Sequence, residues 1–291
     1  MEALATEAFG RLRDFPLRGL WVAGSLTGLA APTVAIVGTR AASEDGRRRA
    51  RGLAAELGRA GICVVSGLAL GIDAAAHEGA LAAGAPTIGV LGGGHGCFFP
   101  RRNAELARRM IAGGGAVVSP YAPDHPTLPH QFLERNGIVA ALADGVVVVE
   151  AAIRSGALNT ASWAADRSAT VMAFPGEVDR PKAAGCLALI RDGALLVRHA
   201  ADVLEALRVP VPAAQPQRAP RLPGLDPLGR RILDALAAGA AGPDALVAAA
   251  GAPPAAVLAR LGELVAAGAV AAGDDGRFRV PDEPLRACTS G

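Results

Sequence analysis

Residues 62–81 read ICVVSGLALGIDAAAHEGAL, and this stretch decides the fold. The apolar run Ile62–Ser66 is typical of a short strand, the glycines at 67 and 71 allow a tight turn, and the alanine-rich run after them is typical of a helix. Strand, glycine turn and helix together form the repeating unit of α/β domains, in which helices cover parallel strands. A parallel sheet requires that the same unit recurs elsewhere in the chain.

The unit does recur, from Val34 almost to residue 200. VVVV at 146–149 is apolar on both alternating faces, as expected of a parallel strand that helices cover on both sides. The predicted strands are Val34–Val37, Ile62–Ser66, Thr87–Leu91, Ala116–Ser119, Val146–Glu150, Val171–Phe174 and Ala194–Val197, and the predicted helices are 43–60, 71–84, 103–113, 136–142 and 159–167. The sequence therefore predicts a Rossmann-like, doubly wound α/β domain with a mostly parallel sheet, whose ligands bind beyond the carboxyl ends of the strands.

The rest of the chain divides into three segments. Residues 209–224, VPVPAAQPQRAPRLPG, are dense in proline without apolar periodicity and predict a linker. Three short helical patterns and a hairpin around AGDDGR predict a small C-terminal winged-helix domain. Residues before Val34 are interpreted as an extension that packs Leu20 and Trp21 against the main domain. The predicted organisation is 1–32 N-terminal extension, 33–208 Rossmann-like domain, 209–224 linker and 225–282 winged-helix domain.

Net charge, cysteine spacing and the length of the apolar stretches limit the classes of function that the chain can have. The chain has 291 residues and a net charge of +2, too small to indicate a nucleic-acid binder, so a basic patch has to come from local clustering. Four cysteines without a CxxC pair argue against a zinc site and a disulfide framework, so we expect reduced thiols and no metal. No uninterrupted apolar stretch reaches ~18 residues, and the N-terminus lacks a secretory pattern. We expect a cytoplasmic protein without a membrane segment.

The loop after the first predicted strand is Gly38-Thr39-Arg40. Glycine lets backbone N–H groups approach an oxyanion, Thr39 adds a hydroxyl and Arg40 a guanidinium, and the next helix, capped by Ser43, presents its positive end. A phosphate site and an ordinary strand-to-helix turn fit this tripeptide equally well. The GxGxxG fingerprint of dinucleotide-binding enzymes is missing here, which argues against an NAD enzyme.

The loop after the second strand contains Ser66, Gly67 and Gly71, followed by Asp73 and His77 one helical turn apart. An Asp and a His at this spacing are the residue types of two members of a catalytic triad, but no nucleophile in a GxSxG elbow accompanies them, which argues against acid/base catalysis. The favoured interpretation is a mutual, buried hydrogen bond that holds the loop.

The later loops add aromatic and basic residues. In GGGHGCFFPRRNAEL (92–106), Phe98 or Phe99 would stack a base and nearby arginines would neutralise phosphates, as on a single-strand platform; alternatively both rings belong to the core. Each loop is a weak signal alone, and the five loops on one sheet edge are stronger together. The polar candidates in the last three loops are Arg101, Arg102, Asn103, Arg135, Asn136, Arg154, Ser155, Gly156 and Thr160.

In order and spacing these loops resemble the DNA-processing protein A family (DprA, also called Smf). The resemblance covers about residues 14–205 and rests on VGTR at 37–40, SGLALGIDAAAH at 66–77, FPRRN at 99–103, FLERN at 132–136, SGALNTA at 155–161 and GCLALIRDGA at 185–194. It implies a homodimeric, non-catalytic protein without a cofactor that binds single-stranded DNA, protects it and helps load the RecA recombinase during natural transformation. Gly137 stands where the family usually has an arginine, and we expect no preceding sterile-alpha-motif-like domain.

The loops and the resemblance together give the candidate site. We expect Asp73 and His77 to shape the loop after the second strand. The expected DNA- and phosphate-binding residues are Gly38, Thr39, Arg40, Ser66, Gly67, Gly71, Arg101, Arg102, Asn103, Arg135, Asn136, Ser155, Gly156 and Thr160.

Two further hypotheses stay open. Related Rossmann-like enzymes or sensors bind or hydrolyse nucleotide-derived small molecules, with a PGGxGTxxE-like motif; here Asn159, Thr160 and Ala161 are not followed by a Glu. The C-terminal module has five arginines against seven acidic residues between 225 and 282, which argues against strong duplex binding and favours a protein-binding or regulatory role.

Overall fold

The computed structural model describes residues 2–5, 12, 17, 19–209, 226–267, 269–273 and 276–281. The chain divides into two compact units, Met1–Val211 and Pro212–Gly291. Apart from Val209, the linker predicted at 209–224 lies outside the described residues, so its conformation stays a prediction.

The first unit contains a sheet of nine strands with helices on both faces. Its strands are β1 (Glu2–Ala5), β2 (Gly19–Gly24), β3 (Thr33–Val37), β4 (Cys63–Ser66), β5 (Thr87–Val90), β6 (Ala116–Ser119), β7 (Gly145–Val148), β8 (Thr170–Ala173) and β9 (Leu195–Leu196). Its helices are α1 (Glu44–Arg59), α2 (Ile72–Ala82), α3 (Ala104–Ala112), α4 (Gln131–Ala141), α5 (Gly156–Asp166), α6 (Ala184–Arg191) and α7 (Ala200–Ala206).

The strand order is β1-β2-β6-β5-β4-β3-β7-β8-β9, and the strands from β6 to β9 are parallel. From β3 the chain builds outward through β4, β5 and β6, and then returns to place β7 on the other side of β3. The predicted Rossmann-like, doubly wound fold is confirmed. Ligands of such sheets bind at this change of direction, beyond the carboxyl ends of β3 and β7.

The central strands form because both of their faces are apolar. All five residues of β3 are buried, and its alternate side chains enter two different cores. Val34 and Ile36 pack in one core with α1, α2 and α7, whereas Ala35 and Val37 pack in the other with α4 and α5. Burial on both faces fixes the strand between two helical layers and leaves its carboxyl end as the exposed edge.

Several elements differ from the sequence prediction, among them α5, which begins at Gly156 rather than at 159. Part of the expected N-terminal extension is strand β2, which pairs antiparallel with β6 and buries Leu20. Helix α4 begins at Gln131 rather than at 136. The prediction missed its first turn because Arg135 interrupts the apolar pattern of the sequence, although its side chain is only 4% exposed in the structure. The short helices α6 and α7 were not predicted; α7 packs against α1.

The second unit contains α8 (Pro227–Ala237), α9 (Pro243–Ala250), α10 (Pro254–Ala266) and an antiparallel pair, β10 (Ala271–Ala272) and β11 (Phe278–Arg279). The predicted three helices and hairpin are confirmed as a winged-helix domain. Within the described part of the chain no single helix has the length and apolar composition of a membrane span, although α9 and most of α10 reach them jointly across a 110° bend.

Candidate nucleic-acid interface

A cavity of about 350 Å³ opens at the carboxyl ends of β3, β4 and β7. The structure therefore brings together residues from four of the five predicted loops. The predicted site residues that line the cavity are Gly38, Thr39, Arg40, Gly67, Asp73, Arg135, Asn136, Ser155, Gly156 and Thr160.

The loop after β3 is held by main-chain hydrogen bonds from two directions. Thr39 N donates to Glu150 O at 2.7 Å, and Ile72 N donates to Thr39 O at 3.3 Å. Ala41 N donates to the Thr39 hydroxyl oxygen at 3.3 Å, which leaves the hydroxyl hydrogen available for a ligand. Arg40 is exposed at the cavity. The loop therefore presents a hydroxyl and a guanidinium, while the Thr39 amide is already used.

The amino end of α1, which the sequence suggested as part of a phosphate site, does not line the large cavity. Ser43 is the N-cap, and its Oγ accepts from Gly46 N at 3.0 Å. Glu150 Oε2, in turn, accepts from Ser43 N at 2.8 Å. Ser43 and Glu150 border a second cavity of about 50 Å³ rather than the large one. A carboxylate of the protein itself already lies at this helix end, where an anion would otherwise be favoured.

The amino end of α5, in contrast, opens onto the large cavity through Ser155, Gly156 and Ala157. Ser155 Oγ accepts from Ala157 N at 3.2 Å, and the first turn carries no acidic side chain. Asn136 Nδ2 donates to Gly156 O at 3.0 Å, which ties α4 to the start of α5. The positive end of this helix is therefore the one that is suited to an anion.

Gly67 connects two buried charged residues beneath the cavity. Its N–H donates to Asp73 Oδ2 at 3.1 Å, and its carbonyl accepts from Arg135 Nη1, which also donates to Val90 O at 2.8 Å. A Cβ at position 67 would lie 2.1 Å from Arg135 Nη1, so a side chain here would displace the guanidinium from its place beneath the loop. Arg135 thus ties the loops after β4 and β5 together.

Burial shifts the pKa of both Arg135 and Asp73, and the arginine stays charged at neutral pH. Desolvation lowers the pKa of Arg135 to about 10, against the opposing effect of the Asp73 charge. Desolvation raises the pKa of Asp73, whereas Arg135 and the backbone donors Ala69 and Gly67 act to lower it. Arg135 Nε is buried and has no hydrogen-bond partner among the described residues. A guanidinium that is charged at neutral pH thus lies at the cavity floor.

The expected hydrogen bond between Asp73 and His77 does not form. Asp73 turns back to the loop amides Gly67 and Ala69, whereas His77 Nδ1 pairs with Thr87 Oγ1 at 2.8 Å. Since the Thr87 hydroxyl donates to Val64 O, His77 Nδ1 is the donor. Desolvation lowers the pKa of His77 to about 3, so its ring is neutral. Each residue fixes a different strand end, and no acid/base pair results.

Five of the predicted binding residues do not line the cavity, and three of them, Ser66, Gly71 and Asn103, have a structural role instead. Ser66 is fully buried and its Oγ donates to Ile36 O at 2.6 Å. Gly71 has φ +84°, and a Cβ there would lie 2.4 Å from Thr39 O, so it permits the start of α2 to approach the β3 loop. Asn103 Nδ2 donates to Leu68 O at 2.8 Å and to Ala69 O at 3.0 Å. These residues shape the loops instead of facing the cavity.

Arg101 and Arg102 are exposed on a 3-10 turn outside the cavity lining. Because Asn103 belongs to the same turn and binds the β4 loop, both arginines lie at the same edge of the sheet as the cavity. The structure thus leaves them accessible to a ligand that extends beyond the cavity.

The aromatic residues divide between core and surface. Phe98 packs on a core cluster, whereas Phe99 is 52% exposed and its ring centroid lies 6.0 Å from that of Phe132. The guanidinium carbons of Arg40 and Arg135 lie 4.8 and 5.9 Å from the Phe132 centroid. Sequence reasoning did not single out Phe132, although an aromatic three residues before Arg135 on a helix was an available signal. Phe132 lines the cavity, and Phe99 extends this aromatic surface beyond it.

The chain is similar in sequence to DNA-processing proteins. The profile of the DNA recombination-mediator protein A family matches residues 6–208, and that of the DprA winged helix domain matches residues 215–276. Protein Smf of Escherichia coli is 42% identical over 195 residues, which are 67% of this chain and 52% of that protein. The putative DNA processing protein DprA of Mycobacterium tuberculosis (strain CDC 1551 / Oshkosh) is 41% identical over 266 residues, 90% of this chain and 68% of that protein. The matched region thus covers about half of the Escherichia coli relative.

Two solved structures have a similar fold. The structure of DNA processing protein A from Streptococcus pneumoniae has a TM-score of 0.61 and 40% identity, covering 65% of this chain and 66% of that chain. A structure of DNA processing protein A from Helicobacter pylori, described for its single-stranded DNA binding mode, has a TM-score of 0.62 and 30% identity, covering 72% of this chain and 94% of that chain.

Proposed function

The chain belongs to the DNA recombination-mediator protein A family, and we propose that it binds single-stranded DNA in the cytoplasm, protects it and helps load the RecA recombinase during natural transformation. One observation carries the DNA-binding part: a cavity suited to a phosphate adjoins an exposed aromatic surface at the carboxyl edge of the sheet. The single-strand binding mode described for the Helicobacter pylori protein supports the same assignment.

The phosphate contacts follow from the charges around the cavity. The amino end of α5 supplies a positive dipole, Arg40 an exposed guanidinium, and Arg135 a buried positive charge below. Arg154 is exposed at the same cavity, and Arg101 and Arg102 lie outside it at the same edge. A DNA strand that extends from the cavity along this edge would meet further cations, as a site that follows the phosphate backbone requires.

The preference for a single strand follows from the aromatic surface. Phe99 offers half of its surface to solvent, and a base stacks on such a ring irrespective of sequence. In a duplex the faces of internal bases are covered by their neighbours, so this contact requires an unpaired, unstacked base. We therefore infer a sequence-tolerant single-strand site.

We propose that the protein acts without catalysis of its own. Asp73 and His77, the acid/base candidates, are buried and bonded to separate partners, Gly67 and Thr87. His77 does not line the cavity, and Asp73 lines it with its Oδ2 already accepting from the Gly67 and Ala69 amides. Asp73 holds the loop after β4, which lines the site, whereas His77 holds the amino end of β5 through Thr87.

The homodimer proposal is supported by the edge of the sheet. β9 pairs with β8 on one side, and no second neighbour covers it among the described strands. Leu195 and Leu196 are each 47% exposed there. An apolar edge strand with open hydrogen-bonding groups is a template for another chain, and a second copy offers the same surface. We infer that two copies pair through this edge.

For the winged-helix domain we propose a protein-binding or regulatory role. Arg260, the one arginine of α10, is held by Asp226 at 2.8 Å and by Glu263 at 2.5 Å. The same helix exposes 48% of Leu258. A helix with its arginine already paired is poorly suited to duplex phosphates, which favours a protein partner such as RecA.

The decisive test compares a long oligothymidine with a duplex of equal length over a range of salt concentrations, together with a sizing measurement. The proposal expects tight single-strand binding that weakens steeply with salt, and weaker duplex binding. Equal affinity for both forms, or binding without salt dependence, would refute it.

A further inference from the structure

Glu150 is bonded to both ends of the loop that follows β3. Its main-chain carbonyl accepts from Thr39 N at 2.7 Å, and its carboxylate Oε2 accepts from Ser43 N at 2.8 Å. Glu150 itself lies two residues beyond β7, the strand adjacent to β3 at the change of direction in the sheet. One residue thus fastens the segment 39–43, which carries Arg40, to the neighbouring strand.

The rest of this segment is fixed by other side chains. Arg47 Nη1 donates to Ala42 O at 2.7 Å, and Lys182 Nζ donates to Ala41 O at 2.5 Å. These bonds satisfy carbonyls, whereas Glu150 supplies the acceptors for the Thr39 and Ser43 amides. Removing the Glu150 carboxylate would leave the Ser43 amide unpaired at the junction of loop and helix, which favours a rearrangement of the loop.

The Glu150 carboxylate also makes the amino ends of α1 and α5 different in charge. It occupies the amino end of α1, where its charge is favourable to the helix dipole. A phosphate there would meet a like charge. The amino end of α5, which lines the large cavity and has no acidic residue in its first turn, is free of this repulsion.

We propose that Glu150 is a positioning residue for single-strand binding, which holds the loop that carries Thr39 and Arg40 at the cavity. The inference rests on the proposed function for its DNA-binding consequence. The loop-fixing part concerns the free protein and is testable without DNA.

The experiment compares Glu150→Ala, which removes the acceptor, with Glu150→Gln, which keeps an acceptor oxygen without the charge. Glu177→Ala is the matched control, because Glu177 borders the same small cavity but pairs with Arg180 rather than with the loop. Affinity for oligothymidine is measured at fixed salt, and hydrogen exchange of the amides at 39–43 is measured without DNA.

Glu150→Ala keeps the main-chain bond to Thr39 N but loses the carboxylate acceptor of Ser43 N. We therefore expect it to weaken single-strand binding about fivefold, while Glu150→Gln and Glu177→Ala bind within about twofold of the parent. Exchange at 39–43 becomes faster in Glu150→Ala alone. In an Arg40→Ala background the effect of Glu150→Ala shrinks, because both changes act through the same loop.

Two results would overturn the inference. Unchanged exchange at 39–43 in Glu150→Ala would show that Glu150 does not hold the loop, whether or not the parent binds DNA. Equal weakening in Glu150→Gln and Glu150→Ala would show that charge, not the hydrogen bond, is responsible. Failure of the parent to bind oligothymidine would instead refute the proposed function, and the exchange measurement would still decide the loop-fixing role.

Discussion

The guanidinium carbon of Arg40 lies 4.8 Å from the centre of the Phe132 ring. Arg40 belongs to the loop after β3 and Phe132 to α4, so this contact joins the phosphate-binding side of the cavity to its aromatic side. Phe132 in turn lies beside the exposed Phe99. In the proposed function a phosphate and a base of the same DNA strand would have their partners side by side, and the two kinds of contact can be tested separately.

Replacing Arg40 with alanine is expected to weaken single-strand binding at every sequence tested and to reduce the slope of log affinity against log salt by about 1, because one phosphate contact is lost. A fluorescence titration with oligothymidine at several salt concentrations measures both quantities. Arg59→Ala is the control, since Arg59 is exposed at the opposite end of α1. Parental affinity in Arg40→Ala at matched salt would contradict the assignment.

Replacing Phe99 with alanine is expected to cost about 1–3 kcal/mol of binding free energy, the typical contribution of one base stacked on an aromatic ring. The salt dependence should stay the same, because no charge is removed. An abasic strand of equal length is the control ligand, and parent and variant should bind it alike. A loss of equal size with the abasic strand would mean that Phe99 acts on the fold rather than on bases.

Replacing Arg135 with alanine is expected to lower the free energy of unfolding by about 3–5 kcal/mol, since Asp73 stays buried without its counter-charge and the carbonyls of Gly67 and Val90 lose a donor. Urea unfolding measures this change. Arg154→Ala, at an exposed position of the same cavity, should weaken DNA binding with a change in stability below about 0.5 kcal/mol. Similar stabilities of the two variants would argue against a supporting role for Arg135.

Replacing Leu196 with arginine is expected to convert a dimer into a monomer, because a charge at the open edge of β9 is costly to bury against a second copy. Light scattering after size exclusion gives the mass directly. Leu258→Arg, an exposed leucine of the second unit, is the control and should keep the parental mass. If Leu196→Arg kept the mass of a parental dimer, the pairing surface would lie elsewhere.

Removing residues 209–291 is expected to leave single-strand affinity largely intact, because the cavity and the aromatic surface belong entirely to the first unit. The shortened chain is compared with the parent in the same oligothymidine titration. A collapse of binding in a chain that still melts cooperatively would assign a DNA contact to the winged-helix domain.

The sequence alone determined the central strands, the glycine turns and the identity of most cavity residues. Runs such as VVVV at 146–149 are apolar on both faces, and this local pattern has one good solution, a strand between two helical layers. The carboxyl ends of parallel strands then meet at one edge, which placed Gly38, Arg40 and Ser155 together. The sequence pattern did not predict the first turn of α4, because a buried Arg135 cannot be told from a surface arginine in a hydropathy pattern.

Only the tertiary structure decided which polar groups are already bonded within the protein. Glu150 reaches Ser43 across 107 positions of sequence, and Arg135 reaches Gly67 across 68. His77 bonds to Thr87 instead of Asp73, and Phe99 is exposed while its neighbour Phe98 is packed. Hydrogen-bond partners and exposure depend on distances between packed elements, which local residue patterns do not contain. Packing therefore decided that Arg40 and Arg154 are exposed, that the amino end of α5 opens onto the cavity and that the Phe99 ring is accessible.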